Sequence, residues 1–273
     1  MANYSPIILF GRLLVKDIGE CDKAEKYFHM LLKTLPNEHE DICEIYHQIG
    51  NVLKTKNAFD LALDMYIQAY HLRQKKLPEN HPKLGRSLNS IGSVYYRKGD
   101  FDQAFDYFNK ALNIFHINND NNTGTLTELI GLIFRKKKQY DSALECFKTI
   151  LEIRQRTFPK EHPRIAWCLR QIGRIYEEQF KYDQALDYYH SALKVKEKIL
   201  PNGQQTLIIS GIERIIRVYK LKNAYNEAVN FCQQKLLIED NDSFKYTYLV
   251  KTIETLLVEK DCKQTINEII DKL

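Results

Sequence analysis

Leu88-Asn89-Ser90-Ile91-Gly92-Ser93-Val94-Tyr95 is the stretch that decides the fold, because the chain repeats it. Tyr46-His47-Gln48-Ile49-Gly50-Asn51-Val52-Leu53 and Leu169-Arg170-Gln171-Ile172-Gly173-Arg174-Ile175-Tyr176 follow the same order. Nine residues after each stretch stands an alanine: Ala104, Ala62 and Ala185. An aromatic comes four later (Phe108, Tyr66, Tyr189), and another alanine three beyond that (Ala111, Ala69, Ala192). Leu88, Ile91, Gly92 and Tyr95 stand at i, i+3, i+4 and i+7, which is one face of a helix. Ala104, Phe108 and Ala111 form a face on a second helix. Glycine and alanine let the two helices approach closely where they cross, and the aromatics fill the space beside the crossing. One such pair cannot bury its own faces, so stability must come from stacking.

Weaker copies extend the pattern. Thr127, Ile130, Gly131, Phe134, Ala143 and Phe147 make one; Ile212, Ile215, Ile216, Tyr219 and Ala228 make another, with Cys232 in place of the aromatic. The first copy keeps Ala24, Phe28 and a closing Pro36. The last keeps only the apolar rhythm of Leu249, Ile253, Leu256, Ile266 and Ile269. The anchor alanines lie 38, 42, 39, 42 and 43 residues apart. The extra length sits in Leu77-Pro78-Glu79-Asn80-His81-Pro82 and Phe158-Pro159-Lys160-Glu161-His162-Pro163.

This order of residues resembles the tetratricopeptide repeat (TPR) signature, whose usual period is 34 residues. The stretched repeat with its Pro-x-x-His-Pro linker is similar to the TPR arrays of kinesin light chains. Only Leu88-Asn89-Ser90-Ile91-Gly92 approaches the Leu-Asn-Asn-Leu-Ala stretch of those relatives. The resemblance implies an all-α fold, a right-handed α-α superhelix of about seven helix-turn-helix repeats. It is expected to form a single solenoid over 1–273, with repeats at 5–40, 43–84, 85–123, 124–165, 166–208 and 209–243. A divergent capping repeat is expected at 244–273.

Turn chemistry agrees with the repeat. Gly99-Asp100 ends a helix with a residue free to take positive φ. Asp22, Asp60, Asp102, Asp141, Asp183 and Asn226 stand two before the anchor alanines, where they are expected to cap the second helices. Pro78, Pro82, Pro159, Pro163 and Pro201 stop helices or start them. Asn118–Gly124 has no apolar residue and reads as the loosest linker.

Composition narrows the function. The net charge is only +5 and is spread along the chain. Its one basic run, Arg135–Lys138, reads as a solvated helix end, so no nucleic-acid partner is expected. The tyrosines and phenylalanines fall mostly on repeat anchors and read as core. Six cysteines (Cys21, Cys43, Cys146, Cys168, Cys232, Cys262) lack Cys-x-x-Cys spacing and read as small buried hydrophobes in a reducing compartment. Arg12 breaks the apolar run from Ile7 to Val15, and no stretch reaches the length of a membrane span. The expectation is a cytoplasmic protein with no membrane partner. Ile7, Ile8, Leu9, Phe10, Leu13 and Leu14 form an apolar first helix that could pair with another copy or an upstream repeat, so the oligomeric state stays open.

No residue set for catalysis emerges, and neither an enzyme nor a cofactor or metal is expected. His81 and His162 precede prolines and read as turn residues. Cys168 has no histidine at a defined spacing, and a reactive thiol needs an electropositive setting.

The remaining function class is protein interaction. In TPR proteins the resemblance implies that the first helix of each pair lines a concave groove. Its open face can be read one and five residues after each large anchor: His47 and Asn51, Asn89 and Ser93, Glu128 and Leu132, Arg170 and Arg174, Glu213 and Arg217. One zone is amide-rich: His47, Gln48, Asn51, Asn89, Ser90 and Ser93. The other is basic: Arg170, Gln171, Arg174 and Arg217, with Arg86 and Arg97 as additions from the third repeat. Arg170 and Arg174 resemble the last helix of a TPR carboxylate clamp, but Leu129 and Leu132 stand where such a clamp has polar residues. The partner expected is a linear, acidic peptide segment of another protein. The rival reading of the face is a solvated surface of mixed charge, with Glu128, Glu177, Glu178 and Glu213 nearby. At the level of the whole chain the alternatives are the regulatory or targeting arm of a larger enzyme, such as an ADP-ribosyltransferase fusion, or a peptide sensor.

Overall fold

The computed structural model describes residues 5–16, 19–120, 122–199, 205–237 and 244–270. Among these residues there are thirteen helices and no strand. They fall into two compact units, Met1–Gln139 and Tyr140–Leu273. The first holds α1 (Pro6–Lys16), α2 (Cys21–Thr34), α3 (Ile42–Thr55), α4 (Phe59–Lys76), α5 (Pro82–Lys98), α6 (Phe101–Ile117) and α7 (Thr123–Lys136). The second holds α8 (Tyr140–Thr157), α9 (Pro163–Glu178), α10 (Tyr182–Ile199), α11 (Gln205–Leu221), α12 (Tyr225–Leu236) and α13 (Phe244–Ile270). Within each unit a helix packs on the one before it and the one after it. The last repeat is not a helix pair. It is one long helix, α13, lying on α12 and α11.

The anchors do what their sizes predict. Ala24, Ala62, Ala104, Ala143, Ala185 and Ala228 are all fully buried. The repeat glycines face the aromatics of their own second helices. A Cβ on Gly50 would stand 2.8 Å from the Tyr66 ring, one on Gly92 2.8 Å from Phe108, and one on Gly173 2.8 Å from Tyr189. Gly11 meets Phe28 in the same way. The first repeat therefore carries its own anchor glycine, which sequence reading passed over because its spacing to the aromatic is one residue longer.

Among the described residues, the turns between paired helices use the left-handed region six times: Gly19 (φ 72°), Asn57 (61°), Gly99 (84°), Lys138 (60°), Phe180 (61°) and Asn223 (58°). The linkers between pairs use a second device. His81 and His162 are N-caps whose Nδ1 atoms accept from Lys83 N (3.1 Å) and Arg164 N (3.2 Å). Pro82 and Pro163 occupy the first helical turn behind them. The His81 and His162 backbone N–H groups donate to the carbonyls of Pro78 and Pro159. Pro36-Asn37-Glu38-His39 is a third copy, in which His39 N donates to Pro36 O and His39 Nδ1 accepts from Asp41 N.

Three expectations need correction. Asp22, Asp60, Asp102, Asp141, Asp183 and Asn226 are not caps. Each is the second residue inside its helix. Among the capped second helices only Asp100 bonds through its side chain, to Gln103 N. Arg135 is buried, not part of a solvated run. The linker at Asn118–Gly124 is shorter than predicted, since α7 takes up Thr123 and Gly124. Asn118 Nδ2 bonds to the carbonyls of Asn80 and Ile114, and Asp120 Oδ1 accepts from Asn122 N.

Candidate functional site

In the first unit, α3 and α5 present the amide-rich stripe, and most of it is bonded to itself. Gln48 is only 6% exposed. Its Nε2 donates to Glu44 (2.6 Å), and its Oε1 accepts from Asn51 (3.1 Å). Asn51 Oδ1 in turn accepts from Tyr66 OH at 2.7 Å. Glu44 also takes a 2.6 Å bond from buried Arg73, whose other arm donates to Ser87 Oγ. His47 lies against the Tyr66 ring, with Nδ1 3.5 Å from Arg73. Burial, with the Arg73 charge next, pulls its pKa down to about 3, so the ring is neutral. Ser93 accepts from Lys54 and donates to Ser90 O. Arg97 bonds to Lys54 O and Asn57 Oδ1, and sits 5.3 Å from the Phe59 ring centre. Arg86 is exposed, and Asn89 Oδ1 is buried without a hydrogen-bond partner.

In the second unit, α9 and α11 present the basic stripe. Arg217 is bonded to Glu177 at 2.7 Å, and Glu177 also accepts from Tyr189 OH. Arg174 Nε lies 3.4 Å from Glu178. Gln171 is 6% exposed, and its Oε1 has no partner. Arg170 has a different setting. It lines a small pocket with Lys196 of α10 and Arg214 of α11, and Tyr189, Ala192, Leu193, Ser210 and Gly211 complete the lining. The pocket has room for about one water, ≈ 20 Å³. A Cβ on Gly211 would stand 3.0 Å from Leu193, so the bare glycine lets α11 pack closely on α10 beside the pocket. Lys196 Nζ donates to Leu207 O at 3.2 Å, and the Arg214 guanidinium sits 5.6 Å from the Tyr189 ring centre. Burial and the neighbouring cations push the Arg170 and Lys196 pKa values down. Among the described residues, no carboxylate forms an ion pair with any of the three.

Sequence reading therefore named Arg170 and paired it with Arg174, whereas the structure groups it with Lys196 and Arg214. Both missed residues had a signal in the repeat register. Arg214 stands two after its anchor Ile212, as Gln48, Ser90 and Gln171 stand after theirs. Lys196 stands eleven after Ala185, the place of buried Arg73 after Ala62 and Arg154 after Ala143. Cys168 is buried beside Arg154, whose Nη1 is 2.9 Å from its Sγ, and burial raises its pKa. That thiol is packed rather than poised to react. Among the described residues no group of three His, Cys, Asp or Glu side chains could hold a metal, and no helix is long and apolar enough to cross a membrane.

Paired helices with glycine-aromatic crossings, stacked repeat on repeat, define a helical-repeat interaction scaffold. The tetratricopeptide repeat family model matches residues 41–115 and 122–198, more than half of the chain. The chain belongs to the tetratricopeptide repeat family. No curated protein matches it. Among solved structures, BtubC (BKLC) from P. vanneervenii is similar at a TM-score of 0.62 and 18% identity, with 91% of this chain and 92% of that one covered. A Podospora anserina protein described as a kinesin light chain, with nearly identical TPR-like repeats, is similar at 0.61 and 16%, with 70% and 94% covered. PilF of Pseudomonas aeruginosa is similar at 0.56 and 18%, with 90% and 96% covered. At these identities the likeness is one of fold, and it is kinesin-light-chain-like in its repeats.

Proposed function

We propose that the chain is a protein-interaction scaffold that holds an extended, acidic segment of a partner protein on the first-helix face of its second unit. One observation carries this reading. Arg170, Lys196 and Arg214 converge on one pocket without an acidic partner, while Arg73, Arg174 and Arg217 each have a carboxylate beside them. Glu177 takes Arg217, Glu178 takes Arg174, and Glu44 takes Arg73. A solvated face of mixed charge would distribute its acids more evenly. In the first unit, Arg86, Asn89 and Ser90 are the part of the predicted stripe left for a partner, since His47, Gln48, Asn51, Ser93 and Arg97 are bonded within the fold. The repeats from 5 to 273 act as one array in this reading. All five described cysteines are free thiols, which supports a reducing, cytoplasmic setting.

Fluorescence anisotropy with a labelled Asp/Glu-rich peptide, a Gln-substituted copy and a single-stranded oligonucleotide tests the proposal. The acidic peptide is expected to bind, to weaken with salt, and to lose about tenfold or more in affinity on Arg170→Glu with Arg214→Glu, ~1.4 kcal/mol. Equal binding of acidic and Gln-substituted peptides, a preference for the oligonucleotide, or an unchanged affinity in the charge-reversed chain would overturn it.

A further inference from the structure

We infer that the Arg170–Lys196–Arg214 pocket takes a phosphate monoester, carried as a phosphorylated side chain on the partner segment; this rests on the groove reading above. Three features point past a simple carboxylate. The first is charge. Three cations face one small volume, and a carboxylate offsets one of them. A phosphate monoester carries about −1.5 to −2 near neutral pH, with three acceptor oxygens. The second is donor chemistry. Two guanidiniums and one ammonium offer forked and single donors together, the combination that grips a phosphoryl group from several sides. The third is shape. The space is about the size of one water, so a ligand enters by its tip, with one phosphoryl oxygen inside and the others at the mouth.

The other junctions show what the pocket would look like without a ligand role. At the place matching Lys196, Arg73 is closed over by Ser87 and Glu44, and Arg154 by the Arg164 carbonyl and Cys168. Among the described residues, only the Lys196 junction joins a bare glycine to two further arginines. Burial and mutual repulsion lower the Arg170 and Lys196 pKa values, so the free pocket is under electrostatic load that a dianion relieves more than a monoanion.

The test uses the full chain and three versions of one Asp/Glu-rich peptide, with a central serine, phosphoserine or glutamate. Titration calorimetry at fixed ionic strength gives the affinity ratios. The phosphoserine peptide is expected to bind about tenfold tighter than the serine peptide, or more, with glutamate in between. In Lys196→Met that ratio should collapse toward one, with Arg214→Gln as the second variant if the first does not fold by circular dichroism. Equal binding of serine and phosphoserine peptides would overturn the phosphate assignment and leave the groove reading standing. Glutamate equal to phosphoserine would overturn it in favour of a carboxylate. A chain that binds none of the three would overturn both readings.

Discussion

Lys56 Nζ lies 2.7 Å from Asp22 Oδ1, joining the turn of the second repeat to the second helix of the first. The same bond recurs as Lys98 with Asp60 at 2.5 Å, as Lys137 with Asp102, and as Lys222 with Asp183 at 2.5 Å. Each lysine precedes the left-handed turn residue, and each aspartate is the second residue of its helix, near the positive end of the helix dipole. The ladder has one missing rung. Gln179 stands where the lysine belongs, ahead of Phe180, and its Oε1 is buried without a partner. Asp141 holds the matching aspartate place. Gln179→Lys should stabilise the second unit by about 1 kcal/mol, chiefly by removing an unpartnered acceptor. Only the smaller part of the gain, from the new ion pair with Asp141, should shrink in high salt. Thermal melts of the variant and the parent, at low and high salt, check it. A variant that melts lower at both would refute the ladder.

The glycine-aromatic crossing sets a steric limit that can be measured. Gly92→Ala would place a methyl 2.8 Å from the fully buried Phe108 ring. Overpacking of this kind costs about 1–3 kcal/mol. Gly173→Ala against Tyr189 should cost a similar amount. Adding Phe108→Leu to Gly92→Ala makes room, so the double variant should be more stable than the sum of the two single changes predicts. Urea midpoints decide this; simple additivity would mean that the ring is not the obstacle.

Phe180 is the bulkiest residue in the left-handed turn position. It holds φ 61° with a side chain 78% exposed, in the turn position that Gly99 fills elsewhere. An L-residue in this region is strained by about 1–2 kcal/mol relative to glycine. Phe180→Gly loses little burial, so it should stabilise the chain by about 1 kcal/mol after the entropy of the glycine is counted. A drop in the melting temperature would show instead that the Phe180 ring, 6.4 Å from Tyr182, contributes packing that outweighs the strain.

The pairing of helices was legible in the residues because it depends on local size and period: Gly92 with Phe108, Ala104 with its turn. Where the period slipped by one, at Gly11 and Phe28, the same contact was missed. The linker was legible where proline followed histidine, at His81 and His162, but not at His39, where Glu40 replaces the proline although the turn is the same. The site was read less well for a physical reason. Which polar side chains remain open depends on contacts between helices of different repeats. Asn51 gains Tyr66 only when α4 packs on its helix, and Arg73 reaches Ser87 only in the next repeat, whereas Gln48 is bonded within its own helix to Glu44 and Asn51, a pairing the i, i+4 spacing already offered. Arg170 looks like the partner of Arg174, four residues away, until Lys196 and Arg214 come in from two other helices.

His47 should make the first unit sensitive to mild acid. Its ring packs on Tyr66 and faces Arg73, with the charges of Lys54, Arg12 and Arg86 near enough to act on it. The loss of water, with these cations next, holds its folded pKa at about 3, against an ordinary value of 6.5. The unfolded chain therefore binds a proton in this window that the folded chain refuses. Stability from the neutral ring is complete above pH 6.5 and is lost as pH falls below it, at up to about 1.4 kcal/mol per unit. Asparagine fits the same register in the next repeat, at Asn89, so His47→Asn is a fair control. Urea midpoints at pH 7.5 and 5.5 should fall by roughly 1 kcal/mol more in the parent than in this variant. Equal losses in both would mean that His47 titrates in the fold as it does in water, and that the Tyr66–Arg73 pocket does not exclude the proton.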